Sequence, residues 1–174
     1  MSGKQARETI GWERGAELRE EAARFFAANI KGAAAYISHG EVQGGLSLDG
    51  KTWAKDLEAR FVEDMLDDDP DEGILVVRDA EERMIAASIV HWVATKRLSF
   101  AVIEDIAVPA RRRSSGLGAR MMAFIEAEAA RRGCRWLFLE SGRRNTRAHA
   151  FFERHGFEEF SHVFLKPVAR KKKR

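Results

Sequence analysis

Apolar residues recur along this chain with two different periods. Over residues 16–31, Leu18, Ala22, Phe25 and Phe26 fall on one side of a helical wheel. The same spacing returns at 52–66 through Trp53, Leu57, Phe61 and Leu66, and at 116–132 through Leu117, Met121, Phe124, Ile125 and Ala129. Three amphipathic helices are expected there. Compact apolar runs at 73–79, 83–95, 100–108 and 134–139 read as strands. A short first strand is expected near 9–12, a turn at Asp79-Ala80-Glu81-Glu82, and one or two further strands over 157–168. Gly133 stops the third helix. The order is helices, a meander of strands, then strand–helix–strand–helix–strand. It predicts an α/β fold with a mixed sheet and helices on both faces. The crossover through the third helix should be right-handed.

Composition narrows this further. A chain of 174 residues makes one domain with room for a proper core, placed at 1–168, followed by a basic tail at 169–174. The last five positions, Arg170-Lys171-Lys172-Lys173-Arg174, are all basic, and removing their five charges takes the formal net charge from +3 to −2. The body is therefore not basic, and nucleic acid is not the expected main partner. The tail reads as solvated and disordered. Asp67-Asp68-Asp69-Pro70-Asp71-Glu72 reads as an acidic loop. Charges interrupt every apolar run short of membrane-spanning length, and Met1 to Glu8 lacks an apolar signal core. With a single cysteine, Cys134, no internal disulfide forms. The expectation is a cytoplasmic protein with no membrane partner; its assembly is left open, a homodimer included.

The chemistry concentrates at residues 103–119. An apolar strand ends in Val108-Pro109, a turn carries Arg111, Arg112, Arg113, Ser114 and Ser115, and Gly116-Leu117-Gly118-Ala119 opens the helix. Unsatisfied N–H groups and the positive dipole end at a helix start attract anions. Two glycines let a large anion reach the backbone. A phosphate ester is the expected ligand. A Walker-type nucleotide loop is absent, and a dinucleotide fingerprint would need glycine where Met121 stands.

What remains, Arg113-x-x-Gly116-x-Gly118 after an apolar strand, resembles the acetyl-CoA loop of the GNAT N-acetyltransferase superfamily. Asn145-x-x-Ala148-x-x-Phe151-Phe152-Glu153-Arg154-His155-Gly156-Phe157 is similar to the family's last-helix motif, in the family's order and at its distance. The resemblance covers about residues 100–168. It implies a sheet whose two central parallel strands, here near 100–108 and 135–140, splay apart around the pantetheine arm of acetyl-CoA. It places that arm against main-chain groups of Ile106, Ala107 and Val108, and the pyrophosphate on the N–H groups from Arg113 to Ala119, with Arg111, Ser114, Ser115 and Leu117 nearby. Asn145, Phe151 and Phe152 complete the cofactor side. The implied acceptor is a primary amine, expected to be a small molecule. A protein or peptide amine, or a non-catalytic acyl-CoA-binding module, are the alternatives.

Catalytic candidates follow from chemistry and resemblance together. Adjacent strand residues face opposite ways, so at least one of Glu104 and Asp105 should point to the covered side or the cleft. Burial would raise its pKa toward the range of a general base. The resemblance to polyamine acetyltransferases implies Glu104 as base and Asp105 as an amine contact. The family's usual tyrosine acid is Phe152 here, which has no proton to give. The only tyrosine is Tyr36. Tyr36, water, or an unassisted thiolate are the three options for the leaving group. Tyr36, His39, Glu41 and His149 are candidate acceptor-site residues, His149 with a structural role as its other reading. His91 reads as a core histidine. The scattered histidines lack ligand spacing, so no metal is expected.

Overall fold

A computed structural model describes residues 8–65 and 69–168. Five strands form one sheet in the order β1 (Thr9–Glu13), β2 (Glu72–Arg78), β3 (Met84–Ala94), β4 (Ser99–Ala107) and β5 (Cys134–Leu139). β1 to β4 pair antiparallel, and β5 joins β4 in parallel. The connection from β4 to β5 runs through α4 (Leu117–Arg131). The sheet is thus mixed, as the strand–helix alternation requires.

Helices cover both faces. The apolar sides of α1 (Ala16–Ile30) and α3 (Leu57–Met65) pack through Ala22, Phe26 and Phe61 onto Ile74, Val76, Ala87 and Ile89. On the other face α4 buries Leu117, Met121, Met122 and Ile125 against Leu75, Val77, Val90 and Ile103. The alternation of buried residues along β2 and β3 is what feeds two separate cores. Each such side chain, fully withdrawn from water, contributes about 1.5–3 kcal/mol, so the α4 stripe alone fixes this helix to the sheet. Gly73 sits where Trp12 and Trp92 meet edge to face; a Cβ there would stand 3.0–3.1 Å from both indoles.

Two expectations fail. The second predicted helix begins at Leu57, not at 52. The Asp49 carboxylate accepts from the N–H groups of Lys51 and Thr52, and this local turn competes with the helix start. Residue 66, its expected end, lies outside the described residues. Residues 157–168, expected as strands, pair with nothing among the described residues and expose Phe160, Phe164 and Val168 almost completely. Alternating apolar residues mark a segment able to pair, but a strand exists only where an edge accepts it. The basic tail at 169–174, and Asp67 and Asp68 of the acidic run, lie outside the described residues. No described helix is long and apolar enough to cross a membrane.

Candidate active site

Pairing between the parallel strands stops at Ile103 and Leu139. β4 continues to Ala107 without a β5 partner, so its backbone from Glu104 onward faces open space on that side. A cleft of about 430 Å³ fills the gap. Its walls are β4 with Val108, the end of β5 with Glu140 and Ser141, the start of α4, and the face of α5 (Thr146–Arg154).

The glycine loop forms one end. Gly116 precedes α4 with φ 80°, and Ser114 also has positive φ, 65°. No side chain caps this helix start, so the first N–H groups of α4 remain available. Arg113, Ser114, Gly116, Leu117, Gly118 and Ala119 line the cleft. Arg111 and Ser115 do not. Arg111 is exposed, and Ser115 donates its hydroxyl to the Arg112 carbonyl, closing the turn. Arg112 takes the lining place instead, while also holding Glu8 at 3.1 Å. Gly118 has a packing reason as well: a Cβ would stand 3.1 Å from the Phe151 ring.

The other end is acidic. Ile89 pairs with Asp105 but Val90 with Ile103, which leaves Glu104 as an extra residue in β4. This bulge breaks the strict alternation of faces, so Glu104 and Asp105 both line the cleft. The Ser88 hydroxyl, fully buried, donates to the Asp105 carbonyl at 2.7 Å and fixes the bulge. Burial pushes the Asp105 carboxyl up to about 7, helped by the negative charges of Glu41, Glu104, Asp64 and Glu72. Glu104 is also raised, by desolvation first, against the opposing influence of His91. His91, expected in the core, is half-buried, its Nδ1 3.8 Å from Asp69.

Tyr36 reaches the cleft. Its hydroxyl accepts from Arg113 Nη2 at 2.6 Å, and Arg113 Nε donates to the Val108 carbonyl at 3.2 Å. One arginine therefore links the glycine loop, the residue after β4 and the 34–36 turn. Glu41 lines the cleft while accepting from the Ser38 N–H, as part of the capping box of α2 (His39–Gln43). His39 does not line it; its Nδ1 lies 2.5 Å from Glu140, whose other oxygen accepts from Gly40 N–H. His149 likewise turns away from the cleft and donates from Nε2 to the Gly142 carbonyl at 3.1 Å. It holds the loop between β5 and α5. Asn145, just before α5, and Phe151 and Phe152 within it line the cleft.

Glu140 and Ser141 were not singled out from the sequence. Their position, polar residues just past the end of an apolar parallel strand, was the available signal. The Ser141 hydroxyl is buried without a partner among the described residues. Gly142 then passes so close to the 35–37 backbone that a Cβ would stand 2.4 Å from the Ala35 carbonyl oxygen. Among the described residues no group of three or more His, Cys, Asp or Glu side chains could hold a metal ion.

A parted pair of parallel strands, an uncapped glycine-led helix and a carboxylate pair on a bulge together make up the cleft. The chain belongs to the acetyltransferase (GNAT) family, whose model matches residues 45–157. No curated protein sequence matches it. Similar solved structures include a transcriptional regulator from Bacillus halodurans C-125, 20% identical, covering 94% of this chain and 100% of that one, TM-score 0.64. A ribosomal-protein-alanine N-acetyltransferase from Brucella melitensis biovar Abortus 2308 is 13% identical over 93% and 100%, TM-score 0.67. AAC(6')-Iy, in complex with a CoA-containing bisubstrate analogue, is 14% identical over 95% and 100%, TM-score 0.64. At these identities the likeness is one of fold.

Proposed function

We propose that this chain is an acetyl-CoA-dependent N-acetyltransferase whose acceptor is a small cationic amine. The whole described body acts as one domain. The observation that carries the reading is the bulge at Glu104, which brings two carboxylates into a cleft whose far end is an uncapped helix start.

The residues fit acetyl-CoA. The first N–H groups of α4 and the positive φ at Ser114 and Gly116 form a cradle for a pyrophosphate. The unpaired edge of β4 from Glu104 to Ala107 offers main-chain partners to an extended amide arm. Bound acetyl-CoA supplies an activated thioester. The Val108 N–H is the oxyanion donor of this proposal. Asp105 takes the proton from the attacking amine. What supports Asp105 over Glu104 in this role is its deeper burial and a pKa near 7, matched to neutral operation. Glu104 and Glu41 then attract the ammonium form of the acceptor and hold it beside Asp105. Tyr36, tied to Arg113, lines the acceptor end.

The acids around the acceptor end favour a cation, and the narrowness of a 430 Å³ cleft shared with the cofactor arm favours a small one. The test is acetyl-CoA consumption, followed by free-thiol detection, against a panel of diamines, polyamines, aminosugars, neutral amines and peptide N-termini. Turnover with the cationic small amines is expected. Turnover with peptides alone would remove the small-amine reading, and cofactor binding without any turnover would make the chain an acyl-CoA-binding module.

A further inference from the structure

We propose, building on the acetyl-transfer reading, that Ser141 receives the leaving group: its hydroxyl donates a hydrogen bond to the sulfur as the acyl carbon–sulfur bond breaks.

A buried donor here has nothing to bind. Ser141 lines the cleft, and among the described residues its Oγ has no hydrogen-bond partner. Burying an unpaired hydroxyl is costly, so one that persists calls for an occupant. The chain on either side is held fast. Glu140 accepts from the Gly40 N–H at 3.1 Å and sits against His39. The Gly142 carbonyl accepts from the Asn145 N–H at 2.8 Å and from His149 Nε2 at 3.1 Å. Ser141 therefore cannot shift with its backbone to find a partner, and only its χ1 is left to turn.

Its place in the sheet says what that partner is. Leu137 and Leu139 pack with α4, Phe151 and Phe157. Ser141 has their parity, while Glu140 takes the opposite one toward the 38–41 segment. The Ser141 side chain thus belongs to the α4–α5 face, where the glycine loop leads into Leu117 and the start of α4. A cofactor arm anchored at that loop reaches the gap from this face. Asp105 belongs to the other face. It pairs with Ile89, and Ile89 and Ala107 pack with α1 and α3. The bulge at Glu104 makes the reversal, because Ile103 just before it still packs on the α4 side. Continuing the register of Ile103 with Leu139 by two residues sets Ser141 level with Asp105 across the gap. A base and an unpaired hydroxyl flank one point of the cleft from opposite faces.

This arrangement suits a displacement. The amine nitrogen, on the Asp105 face, forms the new C–N bond and gives its proton to Asp105. The C–S bond breaks, and its electron pair leaves with the sulfur on the α4–α5 face. Ser141 keeps its proton and acts as a donor only, since a serine hydroxyl is a weaker acid than a thiol. Phe152 has no donor to offer, and the Tyr36 hydroxyl is tied to Arg113. A hydrogen bond to a charged sulfur is stronger than one to a neutral thioester, so the contact strengthens as the bond breaks.

Ser141→Ala in the full chain tests this, with coenzyme A as the probe and the ultraviolet absorbance of its thiolate as the signal. The thiol of bound coenzyme A should titrate about one pKa unit higher in Ser141→Ala than in wild type, a roughly tenfold loss of thiolate binding. Ser141→Thr, which retains the hydroxyl, should titrate like wild type. Acetyl-CoA affinity by calorimetry should change little, and turnover should fall about tenfold at an unchanged amine Michaelis constant. The free Ser141→Ala protein should melt at or above the wild-type temperature, because an unpaired buried hydroxyl is removed. Equal thiol pKa values in Ser141→Ala and wild type overturn the proposal and leave the acetyl-transfer reading standing. A lowered melting temperature also overturns it, showing a hydroxyl that is bonded within the fold. A wild type that binds no coenzyme A overturns both.

Discussion

The two ends of the cleft are built by different means. The glycine-loop end comes from one continuous stretch, Val108 to Ala119, and presents main-chain N–H groups at a helix start. The acidic end gathers side chains from Tyr36, Glu41, Glu104, Asp105 and Glu140, up to about a hundred residues apart in sequence. A main-chain site tolerates changes of side chain and punishes changes of conformation. A side-chain site does the reverse. The two should therefore respond oppositely to substitution.

The largest expected effect is at Asp105. Asp105→Asn keeps the shape and the bulge, since the Ser88 contact is to the backbone carbonyl. It removes the proton acceptor. Turnover should fall about 10²–10⁴-fold, while acetyl-CoA affinity measured by calorimetry stays within a few-fold. Glu104→Gln should cost much less and act mainly on the Michaelis constant of the amine. Reversal of that ranking would return the base to Glu104. The pH profile carries the same assignment: wild-type turnover should rise with pH through about 7 as Asp105 deprotonates, and this limb should vanish in Asp105→Asn. Stability moves the other way. A carboxyl whose folded pKa is raised from 3.8 to about 7 binds more protons folded than unfolded between those values. Its stabilising contribution is present below 3.8 and is lost as pH rises through 7. Asp105→Asn should thus melt higher than wild type at pH 8, with little difference at pH 4.

At the glycine-loop end the response should appear in affinity. Gly116 holds φ 80° with nothing within 4 Å of a would-be Cβ. The restriction is conformational, not steric crowding by neighbours. Gly116→Val forces a β-branched residue into a left-handed conformation at about 1–3 kcal/mol. If the turn reshapes to escape this, acetyl-CoA affinity should drop about tenfold or more, with the proton-transfer limb near pH 7 intact. Equal affinity in a folded variant would remove the cofactor assignment from this loop. Gly142 gives the smaller, mixed case. A Cβ there meets three backbone atoms of residues 35–37 within 3 Å. Gly142→Ala must separate the 34–36 turn from the end of β5, costing about 1–3 kcal/mol of stability. Thermal melting reads that loss, and a raised amine Michaelis constant reads the displaced Tyr36.

The contrast also explains what could be read in the sequence. Strand and helix periods are local, so β1 to β5, α1, α4 and the glycine loop were visible in outline. Gly116 and Gly118 were visible as a pair, although the contact of Gly118 with Phe151 was not. The bulge was hidden because it depends on the register of β4 against β3. Without it, adjacent Glu104 and Asp105 appear to face opposite ways; with it, they share a cleft. His39 and His149 looked like site residues from their chemistry, but their partners, Glu140 and the Gly142 carbonyl, are set by tertiary contacts. Residues 157–168 show the same limit from the other side. Their alternation predicts a strand, and pairing with an edge decides whether one forms.

Tyr36 offers the smallest and sharpest comparison, because it joins the two ends. Its hydroxyl accepts from Arg113, which also holds the Val108 carbonyl beside the proposed oxyanion donor. Phe152 occupies the position where an acid was expected, buried and lining the same cleft. If Tyr36 only lines the acceptor end, the leaving thiolate, of ordinary pKa about 8.5, is left to depart unprotonated or to take a proton from water. Tyr36→Phe then removes one hydrogen bond and leaves the ring packing, at a cost of about 0.5–1.5 kcal/mol. A few-fold rise in the amine Michaelis constant is expected, with a similarly modest loss of acetyl-CoA affinity as Arg113 loosens, and turnover nearly unchanged. A role for Tyr36 as the acid requires instead a turnover loss of a hundredfold or more, with both affinities preserved and the alkaline limb of the pH profile lost. That outcome would shift Tyr36 from the lining of the acceptor end to the chemistry itself.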